Sequence, residues 1–139
     1  MPFNEVDRVY IDANDREKYN DKTGLGSLSP FFAQKSNSDL FLFAIAYALK
    51  NGLPRKPLAS RDGYFRTDYL KEVDEVLLKS LAVYDKKSID VLENEKEILQ
   101  IAEEYANAGI KVLYKDLKNR SGNYQLEIEE YLAEIDIPR

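Results

Sequence analysis

The side chains of this sequence that could do chemistry are carboxylates, amines, guanidinium groups, phenols and hydroxyls, because the chain contains neither cysteine nor histidine. This composition excludes disulfides, thiolate nucleophiles, histidine general bases, Cys/His zinc sites and haem ligation. An enzyme would have to work with Asp, Glu, Lys, Tyr, Ser or Thr, with or without magnesium. We therefore expect a protein that is not an enzyme and that needs no cofactor.

The strongest candidate for contact with a ligand is the segment of residues 50–71. It holds six basic residues against two acidic ones, a net charge of +4, although the whole chain carries −5. Lys and Arg beside turns can position phosphates without reading a base sequence. The candidate DNA- or partner-binding residues are Lys50, Arg55, Lys56, Arg61 and Arg66. We expect the last four to share one exposed face; the alternative is a solvated loop that pairs with the acidic remainder.

Glu103, Glu104 and Asn107 form a second candidate face. Residues 103 and 107 are four apart, so they share one side of a helix. Two outward carboxylates could bind magnesium, or they could hold an arginine from the basic segment. Metal sites need more carboxylates that converge on one point, so we favour the internal ion pair and predict no metal site.

A strongly apolar helix precedes the basic segment and should position it. Residues 40–49 are all small, aliphatic or aromatic. A helix that is apolar all round is a buried helix, so we predict a central core helix over residues 38–51. Gly52 is expected at its C-terminal cap, and two prolines prevent the helix from resuming. The residues expected to be among the most buried are Phe43, Ile45, Ala46 and Leu49.

Apolar spacings of three and four predict two further long helices. One runs from Thr67 or Asp68 to about Tyr84, and the other from about Glu95 to about residue 118. The first should bury one face, made of Tyr69, Leu70, Val73, Val76, Leu77, Leu81 and Tyr84. The second contains Gly109, which costs about 1 kcal/mol relative to alanine; a close packing contact can offset this, so we predict a continuous helix.

The predicted fold is a mainly α, compact, single-domain bundle of four to five helices with one short strand at residues 6–11. Residues 1–37 form an N-terminal arm and loop, residues 38–118 the core helices, and residues 119–139 a C-terminal helix. Residues 53–63 are predicted to be a loop. No apolar run approaches the roughly 20 residues needed to span a bilayer, and no secretory signal is visible. We expect a cytoplasmic protein without a membrane partner.

Two segments together resemble a known family. They are DLFLFAIAYALKNGLPRKPL at residues 39–58 and IAEEYANAGIKVL at residues 101–113. Their order and separation resemble small proteins associated with bacterial and archaeal DNA phosphorothioation (Dnd-type) defence systems. The run EEYANAGI is the more specific part, since helix packing does not by itself demand it. A fainter similarity, at Asn107, Gly109, Val112 and Leu113, is to the small helical DNA-binding component of the same machinery.

This resemblance implies a biological setting and no particular activity. We interpret the protein as a non-enzymatic accessory or adaptor protein of such a defence system, with a basic loop that contacts other proteins of the system. Direct contact with DNA, and an oligomeric state, stay open. One alternative is a small magnesium-dependent nuclease or hydrolase subunit that uses Glu103 and Glu104. Another is a purely structural assembly partner that binds through a tyrosine-rich surface.

Overall fold

The computed structural model describes residues 3–120. The chain is mainly helical with one small sheet, which confirms the predicted fold class. Its elements are β1 (Arg8–Asp12), a 3-10 helix (Ala13–Tyr19), α1 (Leu25–Leu28), a 3-10 helix (Pro30–Phe32), α2 (Asn37–Lys50), β2 (Arg61–Arg66), a 3-10 helix (Thr67–Tyr69), α3 (Glu72–Lys86), a 3-10 helix (Ile89–Glu93) and α4 (Glu95–Asn119). The C-terminal helix predicted for residues 119–139 lies outside the described residues, apart from its first two positions.

Helices α2 and α4 form the centre of the molecule and make the most extensive contact between any two elements. Helix α2 begins where the Ser36 hydroxyl accepts a hydrogen bond from the Asp39 N–H at 3.2 Å, and it ends before Gly52, whose φ of +64° is left-handed. Helix α4 continues through Gly109, as predicted. A Cβ at this glycine would lie 1.8 Å from the Ala44 carbonyl oxygen, so only glycine lets the two backbones approach so closely.

The prediction that α2 is buried on all sides is wrong. Ile45 is buried, but Phe43 is half-buried, Ala46 is exposed and the Leu49 residue is 43% exposed. The reason is that α4 packs against one side of α2, and another side stays partly open to solvent. The Phe43 ring packs edge-on against Phe32, at 4.9 Å between centroids.

The small sheet pairs β1 with β2 in antiparallel register. Arg8 lies opposite Arg66 and Val9 opposite Phe65, and a bulge then leaves Tyr64 without a partner. The predicted N-terminal strand is present, slightly shifted along the chain. The predicted loop ends earlier than expected, because residues 61–66 form a strand that the sequence pattern did not indicate. Val9 and Ile11 of β1 are buried in the same hydrophobic cluster as the long helices.

Helix α3 buries less of its surface than predicted. It starts at Glu72, after a short 3-10 helix, and it packs Leu78, Leu81 and Ala82 against the core. Four residues assigned to its buried face are instead more than half exposed: Val73, Val76, Leu77 and Tyr84. We call these four residues the α3 face. Tyr69 is also exposed, whereas Leu70 is buried as expected.

Within residues 3–120, no helix combines the length and the apolar character that crossing a bilayer requires.

Candidate functional site

The loop between α2 and β2, residues 51–60, is fastened to α4 by its arginine. We call it the basic loop. Arg55 Nη1 lies 2.7 Å from Glu104 Oε1, and Arg55 Nε lies 3.2 Å from Asp85 Oδ2. The Tyr105 hydroxyl donates to the other Asp85 oxygen at 2.6 Å, and the Lys56 N–H donates to the Glu104 carbonyl at 3.0 Å. Arg55 therefore joins the basic loop to both α3 and α4.

The Asn107 side chain holds the same loop by bonding to the backbone of the loop. Its Nδ2 donates to the carbonyl oxygens of Lys56 and Pro57 at 3.0 and 3.1 Å. Its Oδ1 accepts from Lys111 Nζ at 2.6 Å, and that ammonium also bonds to Asp15. Because Asn107 is buried and all of its polar atoms are used inside the protein, it acts as a structural residue in this arrangement.

Glu103 faces the sheet. One of its oxygens accepts from the Tyr10 N–H at 2.8 Å, and the other lies 3.7 Å from Arg61 Nη2. The Arg61 guanidinium in turn lies 4.1 Å from the centre of the Tyr10 ring. Burial raises the pKa of the Glu103 carboxyl to about 7, against the lowering effects of the Tyr10 N–H and of Arg61. The charge of this carboxyl is therefore expected to change near neutral pH.

The expectation that Glu103 and Glu104 point outward is wrong, since both are buried. The ion pair between Glu104 and Arg55 agrees with the favoured interpretation, an internal ion pair that holds the basic loop. A pocket of about 290 Å³ lies beside these contacts, lined by Pro57 and Leu58 of the basic loop and by Lys96 and Gln100 of α4, among others. Gln100 Nε2 donates to the second Glu104 oxygen at 3.1 Å. Residues 3–120 contain no group of three or more side chains placed to hold a metal ion.

The four cations expected to share one exposed face, Arg55, Lys56, Arg61 and Arg66, do not form one. Arg55 is half-buried in its ion pairs, and Arg61 is directed to Glu103. Lys50 and Lys56 are exposed and make no ion pair with other described residues. Arg66 lies at the opposite end of β2, where Asp68 accepts from its Nη2 at 2.8 Å. The structure therefore divides the basic segment between two regions of the surface.

A second group of cations was missed in the sequence. Arg8 and Lys71 line a groove of about 740 Å³ together with Arg66, Tyr69 and the first residues of α2. We call it the Arg8–Arg66 groove. Arg8 is distant from the others in the sequence, and only the pairing of β1 with β2 brings it there. No local signal could have identified it, although the predicted N-terminal strand did place Arg8 in an extended segment.

The fold and these contacts define a small helical protein in which Glu104 and Asn107 of α4 hold the basic loop in place. The family model described as DNA sulphur modification system-associated protein 4 matches residues 21–136 of the chain. The chain therefore belongs to this family, and its association with Dnd-type DNA sulphur modification, expected from the resemblance, is confirmed. No curated protein and no solved structure matches the chain.

The run EEYANAGI has a packing explanation after all. Its two glutamates pair with Arg61 and Arg55, its tyrosine bonds to Asp85, its asparagine holds the loop carbonyls and its glycine admits α2. The run is therefore explained by its contacts with the basic loop, β2, α3 and α2, and not by the apolar periodicity of α4 itself.

Proposed function

We propose that the protein is a non-enzymatic adaptor of the DNA sulphur modification system, and that it docks another protein of the system on the α3 face. The observation that carries this proposal is the exposure of Val73, Val76, Leu77 and Tyr84 along one helix. Contiguous exposed apolar residues of this size, bordered by polar ones, are typical of protein interaction sites.

The spacing of the α3 face suits a partner helix. Positions 73, 77, 80 and 84 are separated by four, three and four residues, which is the repeat of a coiled-coil seam. Ser80, which is exposed, supplies a small residue in the middle of this seam. A larger side chain of the partner would fit over it. The partner is therefore expected to present an amphipathic helix.

Cations at one end of the α3 face indicate the charge of the partner. Lys87 follows the end of α3, and its ammonium lies 5.3 Å from the centre of the Tyr84 ring. The basic loop also reaches this end of α3, because Arg55, the residue before the exposed Lys56, is bonded to Asp85. Acidic residues beside the apolar face of the partner would complement these cations and set the direction of docking.

Co-expression with the other proteins of the same modification system tests the proposal. The tagged full-length chain should co-purify with one of them, and Leu77→Glu should abolish this by placing a charge in the seam. Leu49→Glu is the matched control, since Leu49 is an exposed leucine of α2, and it should co-purify normally. Lys56→Glu should weaken the complex, most clearly at low salt. Unchanged co-purification of the Leu77→Glu variant with every protein of the system would contradict the proposal.

A direct assay tests the non-enzymatic part of the proposal. The oxygens of Glu103 and Glu104 already accept hydrogen bonds or pair with Arg55 and Arg61, which leaves little capacity for a metal ion. The purified protein should leave plasmid DNA intact in the presence of magnesium or manganese. Cleavage that disappears in a Glu104→Gln variant would instead support the nuclease alternative.

A further inference from the structure

Two arginines face each other across the small sheet. Arg8 and Arg66 are direct partners in the antiparallel register, and both line the Arg8–Arg66 groove. Like charges directly opposite each other destabilise a sheet. Lys71, which is exposed, adds a third cation to the same groove. Three cations around one groove form an arrangement that an anion would stabilise.

The beginning of α2 contributes to the same groove. Ser36, Asn37 and Ser38 are among its lining residues. The first N–H groups of a helix have no intrahelical acceptor, and the helix dipole makes this end favourable for negative charge. The carboxylate of Asp39 is the acidic side chain on the wall. Asp68, the ion-pair partner of Arg66, is 66% exposed, and such a pair contributes little that a ligand could not replace.

Aromatic side chains complete the lining. Tyr69 is 67% exposed beside the cations. Tyr64 and the buried Phe65 are the other aromatic residues of the lining. An exposed ring next to guanidinium groups is the combination that binds a base and its phosphate together.

We propose that the Arg8–Arg66 groove binds a short single-stranded segment of nucleic acid. Arg8, Arg66 and Lys71 contact successive phosphates, the α2 N-terminus contributes N–H donors, and a base stacks on Tyr69. A guanidinium group can bind a phosphate through two hydrogen bonds. An acidic peptide would use the same cations but would leave the exposed ring unused. The site is separate from the α3 face, so it does not depend on the adaptor proposal.

Fluorescence polarisation of a labelled oligothymidylate with the full-length protein tests this site. We expect saturable binding at 25 mM salt, and a log–log salt slope of about −2 from three phosphate contacts on a single strand. Arg8→Ala/Arg66→Ala should weaken binding at least about tenfold and reduce the slope to about −0.7. Lys115→Ala/Lys118→Ala removes the same charge from exposed positions of α4, and it should change affinity less than about twofold.

A second set of measurements distinguishes the contribution of a base to binding from that of its phosphate. Tyr69→Ala should weaken binding about tenfold, while Tyr69→Phe keeps the ring and should bind normally. Inorganic phosphate and thymidine monophosphate should compete only at high concentration, with the nucleotide the stronger of the two. No binding at 25 mM salt, or an equal loss in the Lys115→Ala/Lys118→Ala control, would overturn the proposal. Displacement by poly-L-glutamate as effective as by unlabelled oligonucleotide would also overturn it, in favour of an acidic protein ligand.

Discussion

Arg55 shows how a single side chain can belong to the framework although its sequence context is typical of a binding loop. It lies between two prolines and next to Lys56, in the most basic segment of the chain. Its guanidinium nevertheless contacts Glu104 and Asp85, and both of these carboxylates are largely shielded from solvent. Exchanging Arg55 for an acid would therefore disturb the fold as well as any interface.

We predict that removing the Arg55 side chain lowers the stability of the fold and that removing the neighbouring Lys56 side chain does not. Arg55→Ala leaves Glu104 and Asp85 without their cation and should lower the free energy of unfolding by about 1–3 kcal/mol. Lys56→Ala should change it by less than about 0.5 kcal/mol, because the Lys56 side chain is exposed. Urea unfolding followed by circular dichroism measures both values. Equal stability of the two variants would show that the Arg55 ion pairs do not hold the loop.

The Glu103 carboxyl gives a prediction for pH dependence. Its pKa is raised from 4.5 to about 7, mainly by burial, so the folded state holds the proton more tightly than the unfolded state. Between these two pH values, raising the pH lowers the free energy of unfolding. Gln cannot ionise but can still accept from the Tyr10 N–H. The stability of Glu103→Gln relative to the original chain should therefore increase from pH 5 to pH 8, by about 1–3 kcal/mol.

Thermal unfolding of both proteins across this pH range provides the measurement. Glu93→Gln, at an exposed position, controls for the removal of one negative charge. A relative stability of Glu103→Gln that stays constant from pH 5 to pH 8 would mean that Glu103 is charged throughout and held by Arg61 instead.

At the scale of elements, the approach of α2 to α4 decides the architecture. The two helices touch at Gly109, where the Ala44 carbonyl occupies the space of a side chain. Ala48 lies against the same point, with its Cβ 3.3 Å from the position that a Cβ on Gly109 would take. The long α4 can therefore carry the loop contacts on one side and the α2 contact on another.

Gly109→Ala tests this contact against helix propensity. Propensity alone predicts that alanine stabilises a helix by about 1 kcal/mol. We expect the reverse, a loss of about 1–3 kcal/mol or more, because the new methyl group would overlap backbone atoms that cannot move independently. Ser80→Ala, at an exposed position of α3, is the control and should be neutral or slightly stabilising. A Gly109→Ala variant with raised stability would contradict the observed closeness of α2 and α4.

At the scale of the whole molecule, charge is segregated although the chain carries a net charge of −5. The acidic side chains of α4 bind Arg55 of the basic loop and Arg61 of β2, while other cations, Arg8, Arg66 and Lys71, line a groove beside the small sheet. The α3 face is apolar and shares no residue with this groove. The molecule thus has two surfaces of different chemistry, and we propose that one binds a helix of another protein and the other binds phosphates.

These two surfaces should act independently. Leu77→Glu should leave the affinity for oligothymidylate unchanged within about twofold, and Arg8→Ala/Arg66→Ala should leave co-purification with the partner protein unchanged, because substitutions without shared contacts are additive. Polarisation and co-purification assays on both variants measure this directly. A loss of both activities in either variant, with the fold intact by circular dichroism, would indicate one continuous interface instead of two.

The sequence by itself determined the elements whose signals are local. The continuous apolar run and Gly52 predicted α2, and the apolar spacing from Glu95 predicted a continuous α4. The residues of EEYANAGI identified the family, and an internal ion pair was the favoured role of its carboxylates. The two helices were predicted correctly because helix periodicity and helix ends depend on residues only a few positions apart.

Only the tertiary structure decided which surfaces remain exposed. An apolar residue at helical spacing is compatible with a core or with an interface, so Leu77 and Leu49 could not be assigned from the pattern alone. Strand β2 has weak local propensity and forms because β1 supplies its hydrogen-bonding partner. Arg8 joins Arg66 for the same reason. Contacts between residues far apart in sequence depend on how the elements pack, and this packing places the Arg55 side chain in ion pairs while the Lys56 side chain stays exposed.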